Sequence, residues 1–259
     1  MKNKQRRLWT RDELIIAINF YCKTPFGKLH HHNTDIISLA KQLNRSPSAL
    51  AMKLVNFASV DPAQKERNIK GLSNISKLDV EIWQEFYSNW EQLAFESQNA
   101  LLRLQDNLAV EKSSKFYQKN LTKKETETER PTRVRLVQGF FRDTVLASYD
   151  YKCSFCELGI TQLLLASHII PWKDNIIRRA DPTNGLCLCA LHDKAFDRGI
   201  LGIDGDYRIL LSHVAKKQSA STIQRVGLLE KEGKEIILPR RFKPDPDALK
   251  FHRINIFMK

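Results

Sequence analysis

The chain has few cysteines, a deficit of acidic side chains, and no long apolar run. No apolar stretch approaches the roughly 20 residues needed to cross a bilayer, so no membrane-spanning helix is expected. The opening MKNKQRRLWTRDE has no apolar signal core, which reads as a cytoplasmic protein. There are 5 cysteines, four of them between Tyr151 and Asp204, which argues against a disulfide framework and for metal binding in a reducing compartment. Asp and Glu number 29 against 42 Lys and Arg, a formal net charge of +13 that favours a polyanionic partner. Charge alone does not name that partner, since ribosomal and membrane-surface proteins are basic too. No internal repeat is present.

At 259 residues the chain can bury one or two cores, and two are expected. The richest stretch is YKCSFCELGITQLLLASHIIPWKDNIIRRADPTNGLCLCALHDKAFDRGILGID, Tyr151 to Asp204. In it a Cys-x2-Cys pair, Cys153 and Cys156, is answered by a Cys-x2-His pair, Cys189 and His192. Two close-spaced pairs presenting thiolates and an imidazole to one point meet the demands of a closed, structural zinc site. Cys187 competes for the third position, but only Cys189 repeats the two-residue spacing to His192. The competing interpretation is that these are ordinary buried thiols.

An apolar run from Leu163 to Ala166 delivers His168 at the end of a strand, a position where histidines are often structural. Asp193 and Asp197 lie four residues apart, so on a helix both carboxylates leave the same face. Two carboxylates that leave positions open suit a hard divalent cation, Mg²⁺ or Mn²⁺. Asp193 can equally serve as a carboxylate at a helix N-terminus.

The segments ASHIIPW, NGLCLC and HDKAFDRG together resemble the HNH endonucleases of the ββα-metal superfamily, in the branch associated with bacterial restriction enzymes. The resemblance covers about Arg133 to Ile203. It implies that His168 activates water, that Asn184 braces the loop between the strands, and that Asp193 and Asp197 bind the catalytic metal. It places the third motif position on Asp193, on the view that the helix starts just after the second zinc knuckle. Ser167 stands where many members have a metal-binding Asp, and Asp193 replaces the third histidine. The products it implies carry 5′-phosphate and 3′-hydroxyl ends.

The first hundred residues read as a separate helical module. Thr10 with Glu13 is a capping-box signature, and Leu14, Ile15, Ile18 and Tyr21 follow at helical spacing until Pro25. A second helix is expected from Asp35 to Leu43 and a third from Ser46 with Pro47 in its first turn. The three resemble a Myb-like or helix-turn-helix DNA-binding module, with Arg45, Ser48 and Lys53 as candidate contacts, although small helical bundles also serve only to dock other domains. The row His30, His31 and His32 reads as a polar loop.

Residues 61–76 read as a loop, and an amphipathic helix from Leu78 carries Val80, Trp83, Phe86, Trp90 and Leu93 as a core or seam stripe, continuing weakly to Leu108. Residues 112–132 read as a charged linker or an exposed continuation of the helix. A further helix over 133–150 presents Arg135, Gln138 and Arg142 on its polar side, as phosphate contacts or as a solvated face. Beyond the motif come a hairpin around Asp204, a basic cluster with Arg240 and Arg241 suited to a DNA backbone, and a helix from Pro246 to Phe257.

The expected architecture is therefore α+β. A helical module over 1–100 and a helical, charged linker over 101–132 precede a zinc-stapled ββα-metal HNH nuclease domain over 133–259. The expected activity is metal-dependent hydrolysis of double-stranded DNA, of restriction or phage-defence type. The alternatives are a non-catalytic, zinc-containing DNA-binding protein, and a nuclease serving mobility or toxicity. With one site per chain, cutting both strands needs a homodimer or two successive cuts.

Overall fold

The computed structural model describes residues 7–69, 71, 75–87, 89–112, 129–216 and 220–258. These fall into two compact units, the second comprising Lys23–Pro25 with Val137–Lys259 and the first the remainder. Residues 113–128, which hold most of the expected charged linker, lie outside the described residues.

In the first unit α1 (Arg11–Cys22) packs against α3 (Pro47–Phe57), and α2 (Thr34–Gln42) packs on α3 as well. The start of α1 is held by a reciprocal pair, Thr10 N–H to Glu13 Oε2 at 2.9 Å and Glu13 N–H to Thr10 Oγ1 at 3.3 Å. Ser46 caps α3 by accepting from Ala49 N–H at 3.2 Å, with Pro47 in the first turn. Asn33 accepts from Asp35 N–H at 2.8 Å, so α2 begins one residue before the expected Asp35.

Two readings of the following stretch need correction. The expected loop contains α4 (Pro62–Glu66), started by Asp61, whose carboxylate accepts from Ala63 N–H at 3.0 Å and from Tyr21 Oη at 2.8 Å. The single amphipathic helix is two, α5 (Lys77–Phe86) and α6 (Trp90–Lys112). Asn89 restarts the chain there, its side-chain oxygen 3.4 Å from Gln92 N–H, as Asn does where it competes with helical backbone bonds. Both helices pack on α1, and Trp83 sits 5.6 Å from Tyr21 and 5.9 Å from Phe57, so the aromatic stripe is core.

That packing also decides the fate of the basic candidates. Arg45 lies over Trp9 at 4.3 Å, pairs with buried Glu13 at 2.7 Å and donates to the Arg7 carbonyl at 2.8 Å. Burial opposes ionisation of Glu13, but the hydrogen bonds from Arg45 and Thr10 with the charges of Arg45 and Arg7 outweigh it, and its pKa is lowered. Lys53 Nζ reaches both oxygens of fully buried Asp79 at 2.8 and 2.7 Å. Arg45 and Lys53 thus hold the unit together, and of the three candidate contacts on this helix only Ser48 is exposed.

Breaking a buried pair strands a charge, which costs about 3–5 kcal/mol. Lys53→Ala is therefore expected to lower the urea midpoint of the first unit's transition while DNA affinity at fixed salt is unchanged. A variant that unfolds normally but binds DNA weakly would return Lys53 to a contact role.

The second unit starts within α7 (Glu129–Ser148), whose part from Val137 onward buries Val137, Phe140, Phe141 and Leu146. Strand β1 (Leu164–His168) pairs antiparallel with β2 (Gly185–Cys189), Ala166 opposite Cys187 and His168 opposite Gly185. The chain turns directly from β2 into α8 (Ala190–Asp197), which packs on both strands. A second hairpin, β3 (Leu201–Ile203) with β4 (Ile209–Leu211), closes around Asp204 as expected. Then come α9 (His213–Lys216), α10 (Thr222–Gly227) and α11 (Pro246–Asn255), the last packed on β3.

Two glycines are required by this packing. A Cβ on Gly185 would meet Val145 Cγ2 at 2.4 Å, because α7 lies directly against the start of β2. Gly199 ends α8 with φ +69°, and a Cβ there would meet the Ile256 carbonyl oxygen at 2.1 Å. The core is larger than two strands and one helix: Phe141, Val145, Leu186, Phe196, Leu201, Ile209, Ile236 and Leu249 belong to one cluster.

Candidate metal centre and active site

Cys153 and Cys156 sit in a tight turn after α7, closed by Cys153 N–H to the Leu158 carbonyl at 3.0 Å and Glu157 N–H to the Cys153 carbonyl at 2.8 Å. Cys189 ends β2 and is the N-cap of α8, so α8 begins at Ala190 and His192 lies in its first turn. The helix thus starts before His192, not after it as the sequence reading expects. A Cys-x2-His spacing across a strand-to-helix junction turns both side chains to one side.

The four ligand atoms lie within 4.8 Å of one another, and among the described residues no other group of three or more Cys, His, Asp or Glu converges this way. Cys153 Sγ and Cys189 Sγ are each 3.3 Å from His192 Nδ1, and Cys156 Sγ is 3.9 Å from Cys189 Sγ. Tetrahedral zinc with bonds of about 2.3 Å to sulfur needs sulfur atoms about 3.8 Å apart. The residues fit such an ion.

The protonation pattern points the same way. Cys189 is the more acidic of the two thiols, its pKa lowered by a hydrogen bond from Cys153 and by the neighbouring His192. Cys153 correspondingly holds its proton, pushed up first by that bond to Cys189 and then by burial. A cation at the centre would replace that shared proton. His192 Nε2 is 2.8 Å from the Gly227 carbonyl, which can only accept, so Nε2 carries the hydrogen and Nδ1 offers its lone pair inward. Cys187 is fully buried, and burial pushes its thiol up to about 12, so it stays neutral in the core.

His168 ends β1. Its ring lies face to face with Phe141, centroids 3.7 Å apart and planes at 10°, with Trp172 edge-on at 5.5 Å. Nε2 is 3.0 Å from the Arg179 carbonyl, which fixes the hydrogen there and leaves Nδ1 as the basic atom. Burial lowers its pKa, partly offset by that hydrogen bond.

Asn184 is 1% exposed and clamps the β1–β2 loop. Its side-chain oxygen accepts from Ile170 N–H at 2.8 Å, and its amide donates to the Ile170 carbonyl at 3.1 Å and the Arg178 carbonyl at 3.4 Å.

Asp193 and Asp197 both lie on α8, close enough that the Asp193 charge raises the Asp197 pKa after burial, the larger cause. Burial also raises Asp193, and the Ser167 hydroxyl on β1 works against it. A divalent cation would relieve both. Ser167 is turned toward Asp193 of α8, and its neighbour His168 lies against Phe141 of α7.

The basic candidates divide. Arg135, Gln138 and Arg142 are exposed and recur at helical spacing on α7. Arg240 is half exposed and 2.8 Å from Asp150. Arg241 requires correction: it is 1% exposed and donates to the Thr24 carbonyl at 2.6 Å, so it cannot follow a DNA backbone. Two carbonyls that set the imidazole tautomers, at Arg179 and Gly227, had no sequence signal, because any residue supplies a carbonyl.

Residues 153–204 match the model of a family described as HNH endonuclease, from the first knuckle to the turn after β3. This bears out the HNH resemblance carried by the three motifs, and the matched segment contains the four Cys and His residues whose geometry could hold a metal ion. No curated protein matches the chain. No helix among the described residues is long and apolar enough to cross a membrane.

Proposed function

We propose that the chain is a metal-dependent endonuclease acting on double-stranded DNA, of restriction or phage-defence type, stapled by a structural zinc ion. The observation that carries it is the carbonyl-anchored imidazole of His168 inside the HNH-matched segment, neutral and with Nδ1 left basic. Nδ1 takes a proton from water, the oxygen attacks phosphorus, and the bond to the 3′ oxygen breaks, that oxygen taking a proton from solvent water to become the 3′-hydroxyl. Mg²⁺ or Mn²⁺ held by Asp193 and Asp197 would supply positive charge against the developing phosphate charge. Cys153, Cys156, Cys189 and His192 would fill all four zinc positions, so that ion takes no part in the chemistry.

DNA capture is assigned to the exposed Arg135, Gln138, Arg142 and Arg240, backed by the +13 net charge. Affinity is then expected to fall steeply with salt through counterion release. The first unit serves as a helix-turn-helix or Myb-like module only through surfaces other than Arg45 and Lys53. A Cys/His cluster of this kind suits a reducing, cytoplasmic setting. Cutting both strands is assigned to a pair of chains or to two successive cuts.

The test is plasmid nicking by the full chain with and without divalent cation. Asp193→Ala or Asp197→Ala should each raise the Mg²⁺ or Mn²⁺ concentration needed, and the double variant should be inactive, with bound zinc unchanged. Absence of any cation-dependent nicking by the wild-type chain overturns the proposal, leaving a zinc-containing DNA-binding protein. Loss of zinc from either single variant would show the two ligand sets to be crossed.

A further inference from the structure

The β1–β2 loop carries an unusual pair of side chains at its tip. Ile177 is 91% exposed and Ile176 65%, and Ile177 is the most exposed large apolar residue among those described. The backbone beneath them is well tied. Asn175 accepts from Ile177 N–H at 3.0 Å and Arg178 N–H at 3.2 Å. The Arg178 guanidinium is fixed by Asp181 at 3.0 Å, Asp245 at 2.6 Å and Thr183 Oγ1 at 3.1 Å. Arg179 donates to the Trp172 carbonyl at 2.8 Å and lies over that indole at 4.8 Å. The same Arg179 supplies the carbonyl that orients His168. Two isoleucines are thus held out toward solvent by a braced turn, two and three residues from the group that positions the base.

We propose that Ile176 and Ile177 form an apolar wedge that enters a base step of the duplex beside the scissile phosphate. This rests on the endonuclease reading above. A β-branched apolar side chain offers no hydrogen bond to a base edge, but it can fill the gap of a partly unstacked step, as apolar wedges in DNA-bending proteins do. The surroundings suit a nucleic acid better than a lipid surface or a second copy. Arg178 is matched by Asp181 and Asp245, and it is the chain's net charge of +13 that favours a polyanion. Unstacking the step would bend the duplex and turn its phosphate toward His168, so the wedge is a positioning device.

The cut site of the wild-type chain, mapped on plasmid, would be made as a linear duplex in three forms: matched, mismatched at the adjoining step, and carrying 2-aminopurine there. Ile176→Ser with Ile177→Ser in the full chain should keep melting temperature and zinc content. It should cut the matched duplex about 10–100-fold more slowly, reflecting the lost apolar burial that supports unstacking. The mismatched duplex, already unstacked, should be cut at the wild-type rate, and the rise in 2-aminopurine fluorescence on binding without divalent cation should disappear. Ile176→Leu with Ile177→Leu should behave as wild type. Equal rates for variant and wild type on the matched duplex, equal slowing on both duplexes, or a change confined to self-association would each overturn the wedge. Failure of the wild-type chain to cut any DNA would instead remove the endonuclease reading, and is seen before a variant is compared.

Discussion

His168→Ala should reduce DNA cleavage by about 10²–10⁴-fold, the usual worth of a general base, while binding at fixed salt and bound zinc stay unchanged. The active form is neutral imidazole. Because burial holds its pKa below the ordinary imidazole value, the acid limb of the wild-type rate should lie below about pH 6.5, with rate lost as pH falls through the folded pKa. The residual rate of His168→Ala should lack that limb. A purely structural role, stacking on Phe141, would instead lower the melting temperature and leave the limb in place. Unimpaired cutting by the variant would remove His168 from the mechanism.

Cys153→Ser, Cys156→Ser, Cys189→Ser or His192→Ala should each lose the bound ion and open the knuckles and α8 to protease, leaving the first unit's helices intact. Structural zinc contributes on the order of 10 kcal/mol in small finger-like units that have little else to bury. Here Phe141, Val145, Ile209, Ile236 and Leu249 share the core with the strands, so the loss should be smaller than in a bare finger. Cys187→Ser should be mild and keep the metal, since that thiol is neutral and is not among the four converging ligands. Elemental analysis after dialysis against weak chelator should find about one zinc per chain in wild type and Cys187→Ser. Metal lost from Cys187→Ser and kept by Cys189→Ser would shift the knuckle by two residues.

Much of the candidate site was legible because it depends on local spacing. Two x2 pairs announced the convergence of the three thiols and one imidazole, and the apolar run into His168 announced β1. Asp193 and Asp197 fell on one helix as their spacing required. The start of that helix was misplaced because Cys189 serves as both strand end and N-cap, a double role that composition does not mark. Helix starts in the first unit were readable wherever a side chain caps its own backbone, as at Thr10 and Ser46. The break at Asn89 was not, since the apolar stripe runs through it in phase.

The sequence by itself determined what is settled within a few residues along the chain: caps, turns, knuckle spacing and the apolar faces of helices. Such features arise from backbone donors and side chains that are neighbours by covalent connection. Tertiary structure alone decided which charges are spent internally. Lys53 meets Asp79 26 residues away and Arg241 meets the Thr24 carbonyl, so three basic residues that sequence assigned to DNA are occupied by the fold, with Arg45 on Glu13 the third. It also decided the tautomer of His192, set by a carbonyl 35 residues downstream. A buried charge or ring nitrogen must find a partner wherever packing brings one, and that partner's sequence position carries no local signature.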